Sequence, residues 1–282
     1  MSAKFPVILP LNATLQRQPG GLPTLRLAPW HGIVLAAIIL FSSAAADAAT
    51  GQATQAGVLA VLANWTPLLL RGFGLNILIS FLSMAIGTVL GAFLGLGLIT
   101  PSRPTRAMSW LLTQFFRNAP WLVLLFFMIF LLPFQIHVGS HTISLPGWLK
   151  AVIGLALPVM ANVAEIVRGG VLSIPPGQWE AAESLGFTRR QQLWLIILPQ
   201  SVKRMLPPWM NLYAILTTST TLASIVGVNE VVTLAGQVLA AEGSRPNLLA
   251  PIYAYVLLMF FIYTYPIAWA TQRLERRYQV RN

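Results

Sequence analysis

The chain has 282 residues, 56% of them hydrophobic and only 9% charged, with 18 Lys and Arg against 7 Asp and Glu. That balance excludes an ordinary soluble globule, and several apolar runs of about 20 residues indicate an all-α polytopic membrane protein. The formal net charge of +11 sits on no basic and aromatic stripe of a polar domain, so it points to loop orientation in a lipid bilayer and away from nucleic acid. Cysteine is absent, which rules out disulfides and thiolate metal sites. No polar stretch is long enough to fold a separate soluble domain.

Residues 1–29 carry Lys4, Arg17 and Arg26 among many Pro and Gly and read as a poorly ordered cytoplasmic tail. Residues 30–49 read as an N-terminal transmembrane helix. The alternative is a signal peptide cut in its Ala-rich flank, and either leaves the next segment entering from outside. Residues 50–70 are expected to form a short external connection, with Asn64 to Leu70 a helix lying in the interface. A second span should run from about Gly72 to Leu98, where Gly87, Gly91, Gly95 and Gly97 recur at helical spacing and permit close packing. Pro101 to Arg106 is a basic turn. A third span, about 107–132, is interrupted by Arg117-Asn118-Ala119-Pro120, and a short external loop, about 134–146, follows. The fourth span, from about Trp148 to Leu172, contains Glu165. A fifth is expected at about 206–226, then an external segment with Asn229 to Arg245, a sixth span at about 248–270 and a basic tail, 273–282.

The distribution of Lys and Arg tests this topology. Only Arg71, Lys150 and Arg245 fall on one side, and the remaining fifteen of the eighteen fall on the other. Both termini and the 174–205 stretch are therefore expected to be cytoplasmic.

That stretch is too polar for lipid, yet apolar spans flank it. Pro175-Pro176-Gly177 closes the fourth span and pre-sets a helix start. Trp179 to Leu185 predicts a short helix with Gly186 as its left-handed C-cap. Thr188 and Gln191 have capping-box spacing, so a second helix should begin there, run to about Leu198 and stop at Pro199, with Pro207-Pro208 marking the next boundary. Read this way, the stretch is a helix–turn–helix hairpin on one face of a membrane. The plainer alternative is an ordinary loop that Gly and Pro merely punctuate.

Few groups could carry chemistry. No Lys follows a Gly in a phosphate-binding pattern, so the chain has no means of hydrolysing ATP by itself. His137 and His141 flank Gly139 and read as surface histidines in a loop, so no metal site is expected. No nucleophile, base and orienter occur together. Glu165 is the one clear acid at mid-bundle depth, with Arg168 three residues on and Asn162 a turn earlier on roughly the same face. A charge in lipid is costly, so these side chains face a partner or a wet cavity. Glu165 either pairs with Arg168 or Arg117 to hold the bundle together or meets a substrate. The Thr217-Thr218-Ser219-Thr220-Thr221 run either bonds within the bundle or lines a path.

Two sets of residues carry a family resemblance. Glu180, Ala181, Ala182, Gly186, Ile196, Leu198 and Pro199 stand at the spacing of the Glu-Ala-Ala loop of permease subunits of ATP-binding cassette (ABC) importers. Glu165-Ile-Val-Arg168-Gly169-Gly170, then Ser173 through Ala182, resembles the polar amino-acid branch, as do Leu198 to Asn211 and Leu222 to Val228. Over roughly 65–272 the chain is thus similar to the type I ABC importer transmembrane domain, with about six helices (a five-helix core plus the N-terminal helix). The resemblance implies a permease subunit that couples through its Glu-Ala-Ala loop to a separate ATPase subunit holding ATP and Mg. It also implies a second permease subunit, an extracytoplasmic solute-binding protein and a bacterial inner membrane. The cargo would be a polar amino acid or a related small zwitterion. The implied substrate path comprises Arg117 and Asn118, Glu165, and Thr218, Ser219, Thr220 and Thr221, to which Asn162 is added by its place one turn before Glu165. Two of the family's three path segments depart from pattern: RGTP becomes Arg117-Asn118-Ala119-Pro120, and KDTSL becomes Thr218-Ser219-Thr220-Thr221-Leu222, which removes one cation and one anion. A silent structural partner in a heteromeric pair is therefore an alternative. An ATP-independent secondary transporter is less favoured, because no inverted repeat pairs buried carboxylates.

Overall fold

The computed structural model describes Val34 and Ala37, residues 57–138 and residues 141–278. The expected N-terminal span, 30–49, lies outside the described residues apart from Val34 and Ala37, and the 1–29 tail lies outside them entirely.

Helix α1, Val58–Ile99, is a single helix of 42 residues. At 1.5 Å per residue it is about 63 Å long, roughly twice the hydrocarbon thickness. The connection and interfacial helix expected over 50–70 are instead its first turns. Pro67 lies inside it without ending it, because Val58, Val61, Leu62 and Leu69 are buried against later helices and hold those turns in register. Three proline boundaries then set the path. Thr100, Ala119 and Leu132 each precede a proline and have ψ of 146°, 136° and 133°, as steric conflict with the proline ring requires. They separate α1 from α2, Arg103–Asn118, and α2 from α3, Trp121–Leu131. The interrupted third span is consequently two helices bent by 104°.

The expected external loop is a two-stranded antiparallel hairpin, β1, Gln135–Val138, and β2, His141–Ser144, with Gln135 opposite Ser144. Helix α4, Gly147–Leu172, is the central element. Its Val159, Val163 and Val167 sit directly on Gly87, Gly91 and Gly95 of α1, where an added Cβ would lie 2.4 to 2.7 Å from a valine or a carbonyl of α4. The small-residue stripe is thus the surface on which the two longest buried faces meet. Lys150 of α4 is fully buried. Its ammonium donates to the carbonyls of Ile129 and Leu132, at 3.3 and 2.8 Å, and sits 3.4 Å from the ring centre of Phe134. It therefore caps the carbonyl end of α3.

After the hairpin segment, which is built from α5, Pro176–Ser184, and α6, Arg189–Gln191, the chain widens into a π segment, Gln192–Ile197, and enters α7, Leu198–Ser219. The predicted stop at Pro199 does not occur, nor does a boundary at Pro207-Pro208. The π segment opens the ladder just ahead of Pro199, whose ring would otherwise press on the carbonyl four residues back.

The fifth crossing also differs from expectation. Trp209 donates to Thr88 at 2.9 Å, Tyr213 lies 3.5 Å from Ser80, Asn76 donates to Thr220 at 3.0 Å and Trp65 donates to Glu242 at 2.9 Å. Position numbers fall along α1 as they rise along its partner. Helix α7, a 3-10 turn at Thr220–Ser224 and α8, Val231–Ala241, accordingly make one broken path antiparallel to α1. The segment expected outside, Asn229 to Arg245, is largely this buried helix. Helix α9, Pro246–Tyr278, completes the bundle. Among the described residues α1, α4 and α9 are long and apolar enough to cross a membrane, and the bent pair α2–α3 passes the same test only when its two helices are taken together as one span.

Candidate functional site

The turn of the hairpin is capped on both sides. Helix α5 closes in a Schellman motif: Gly186, at φ +79°, donates to Glu183 at 2.8 Å and Phe187 donates to Ala182 at 3.1 Å. Two residues later Thr188 opens α6 with a complete capping box. Its backbone N–H donates to Gln191 Oε1 at 2.9 Å, and Gln191 N–H donates to Thr188 Oγ1 at 3.4 Å. Gln192 ties back to the Phe187 carbonyl at 3.0 Å. Helix α5 starts at Pro176, three residues earlier than predicted, because proline suits the first helical position.

The hairpin is seated on the bundle by Val171, Ile174 and Ile197, all buried, with Trp179, Ile196 and Leu198 packed around them. Ala182 turns inward as well, whereas Glu180, Ala181, Gly186 and Pro199 face outward. Leu185, Trp194 and Leu195 are 76%, 53% and 63% exposed. These exposed apolar side chains stand on an otherwise polar element, where large apolar groups are unusual unless a partner covers them.

Beside the hairpin lies a cavity of about 820 Å³ formed by α2, α4, α7 and α9. It brings together Arg117, Asn162 and Glu165 and adds three groups that the sequence reading passed over, Arg204, Asn211 and Glu275. Two cations and two acids thus line one space. Glu165 is held by Arg168 at 2.8 Å and lies 4.0 Å from Arg117. Asn162 donates to the Pro158 carbonyl at 2.8 Å, and Arg204 donates to the Ser173 carbonyl, which ties α7 to the start of the hairpin.

The other path residues lie elsewhere. Asn118 is exposed and donates to the Gln114 carbonyl at 2.7 Å. Thr218, Ser219, Thr220 and Thr221 each donate their hydroxyl to a carbonyl three or four residues back, at 2.7 to 2.9 Å. The cavity lining along α7 reaches only to Ile215. His137 lies on β1 and pairs with Thr142 at 3.0 Å.

A second buried acid also came to light. Glu230 is fully buried and caps α8, accepting from Val232 and Thr233 at 3.1 and 2.9 Å and from Asn76 of α1 at 2.9 Å. Glu165 is therefore not the sole acid at mid-bundle depth. The available signal was an acid placed directly before an eleven-residue apolar run, a helix N-cap pattern.

A family model described as the inner membrane component of binding-protein-dependent transport systems matches residues 87–280. The chain belongs to this family. Among its relatives, this permease is 38% identical over 164 residues to the probable amino-acid ABC transporter permease protein YckA of Bacillus subtilis (strain 168), covering 58% of this chain and 70% of that one. It is 31% identical over 214 residues to the glutamine transport system permease protein GlnP of Escherichia coli (strain K12), covering 76% and 94%. Among solved structures, a crystal structure of an amino acid ABC transporter with histidines superposes with a TM-score of 0.68 at 25% identity, over 79% of this chain and 100% of the other. An inward-facing MetNI methionine ABC transporter shares the fold, with a TM-score of 0.59 at 21% identity over 76% and 97%. The permease is thus a multi-pass inner membrane subunit with the type I importer fold.

Proposed function

We propose that this permease imports an amino acid or a related small zwitterion and that its hairpin is the socket for a separate ATPase. The cavity carries the substrate part of this reading. It gathers Arg117, Arg204, Glu165 and Glu275 around one space, a balance suited to a ligand bearing one carboxylate and one ammonium. Relatives named for amino-acid and glutamine transport point to the same class.

In this mechanism two permease subunits, identical or paralogous, flank the path, and a solute-binding protein delivers ligand from outside. Two ATPases hold ATP and Mg and grip the exposed Leu185, Trp194 and Leu195 around Glu180, Ala181 and Gly186. Nucleotide binding draws the ATPases together, the stiff hairpins follow, and Ala182, Ile196 and Leu198 transmit the motion to the spans. Both termini and the hairpin face the cytoplasm, as the Lys and Arg asymmetry indicates.

The closed hydrogen bonding of Thr218 to Thr221 favours a second reading, in which this chain is the silent half of a heteromeric pair. Uptake by the assembled transporter in vesicles, with nucleotide hydrolysis measured in parallel, separates the two. A Glu165→Gln variant that loses most uptake yet still hydrolyses ATP supports a binding role. Unchanged uptake assigns the chain to the silent half.

A further inference from the structure

Where α1 and α4 end beside the hairpin, they enclose a second groove of about 550 Å³. Ile99 and Leu172 form its apolar wall, and Leu172 is 64% exposed. Four guanidiniums, those of Arg106, Arg168, Arg189 and Arg190, line the same space, and no carboxylate does. Arg168 is engaged by Glu165 at 2.8 Å, and Arg189 lies 4.2 Å over the Trp179 ring. Arg106 and Arg190 have no ion pair among the described residues. Like charges gathered in one groove repel one another until an anion neutralises them. The apolar wall demands that the anion carry hydrocarbon. The groove also lies where two apolar spans end, and on the orientation proposed above that end stands at the depth of anionic headgroups in the cytoplasmic leaflet.

We infer that this groove binds one anionic phospholipid, its phosphate between Arg106 and Arg190 and an acyl chain along Ile99 and Leu172. Free phosphate could use the arginines but would leave the wall bare. Arg106 and Arg168 belong to the bundle whereas Arg189 and Arg190 belong to the hairpin, so the headgroup bridges the two bodies that must move together. Bound lipid becomes a part of the hairpin's seat.

Native mass spectrometry of the assembled transporter, titrated with phosphatidylglycerol, phosphatidylcholine or inorganic phosphate, tests this. The wild type should retain phosphatidylglycerol over phosphatidylcholine. The pair Arg106→Gln and Arg190→Gln should weaken that retention about ten-fold or more, the loss expected for two charge-assisted contacts in a half-open groove. The pair Arg276→Gln and Arg277→Gln, which removes equal charge from the last turn of α9 outside the groove's lining, should leave it unchanged. Equal retention of both lipids overturns the assignment. So does phosphatidylglycerol retention that survives the Arg106 and Arg190 changes, or displacement of the lipid by millimolar phosphate.

Discussion

Replacing Gly186 by valine isolates the backbone contribution to the hairpin. At φ +79° the left-handed conformation costs an L-residue about 1–2 kcal/mol, with a β-branched one at the upper end. Relaxing φ instead would break the bonds from Gly186 to Glu183 and from Phe187 to Ala182, at 2.8 and 3.1 Å, each contributing about 0.5–1.5 kcal/mol. Either route disfavours the closed elbow by about 2 kcal/mol, roughly a 30-fold shift in its population. Among the described residues, no atom beyond Gly186 and its chain neighbours lies within 4 Å of the added Cβ, so crowding within them adds nothing. Asparagine tolerates the left-handed region and serves as the comparison. The assay is ligand imported per ATP hydrolysed by the assembled transporter in vesicles. Gly186→Val should keep hydrolysing ATP while its uptake falls several-fold, and Gly186→Asn should stay within about two-fold of wild type. Normal coupling in the valine variant would refute the argument. Equal failure of both variants would refute it too, since it would show that bulk at the partner's surface matters and the turn does not.

Packing at the small-residue stripe predicts that Gly91→Ala destabilises the bundle by about 1–3 kcal/mol, because its Cβ would sit 2.6 Å from both the Met160 carbonyl and Val163. Gly74→Ala on the same helix meets nothing outside its own turn within 4 Å among the described residues, so thermal unfolding in detergent should separate the two variants, and equal midpoints would contradict the packing account. Glu230→Ala should cost about 1–3 kcal/mol by removing the acceptor of one buried Asn76 N–H and of the half-buried Val232 and Thr233 N–H groups. A double-mutant cycle with Asn76→Ala should show strong coupling, and simple additivity would disprove a lock between α1 and α8.

The parts most legible in the sequence were those governed by local chemistry. Gly186, Thr188 and Gln191 specify their caps through neighbours within a few residues, and the glycine stripe declares its face by spacing alone. Proline was harder to read. Thr100, Ala119 and Leu132 end helices ahead of it, yet Pro67, Pro158, Pro199, Pro207 and Pro208 lie within helices. What separates the two sets is tertiary: buried neighbours hold the interrupted turns, and a π segment precedes Pro199. Lys150 counted simply as a charge on the less basic side until the carbonyls of Ile129 and Leu132, eighteen or more residues away, revealed it as the cap of α3.

The broken fifth crossing follows from the hydroxyl run that the resemblance placed on the substrate path. Closely spaced Thr and Ser side chains return their hydrogen bonds to carbonyls three or four residues back, which tightens the helix into the 3-10 turn at Thr220. A helix that stops at that depth leaves the first N–H groups of the next one without partners, and lipid supplies none. Glu230 accepts from two of them, and Asn76 accepts from the Val231 N–H at 3.1 Å while donating to Glu230 and Thr220. The polarity at this level is thus used within the protein, on joining α7, α8 and α1. On the proposed reading, charge available to a ligand is left to the cavity nearer the hairpin, which Arg117, Glu165, Arg204 and Glu275 line. Selectivity for cargo should accordingly follow substitutions at those four side chains, whereas substitutions at Thr220 should register first as a loss of stability.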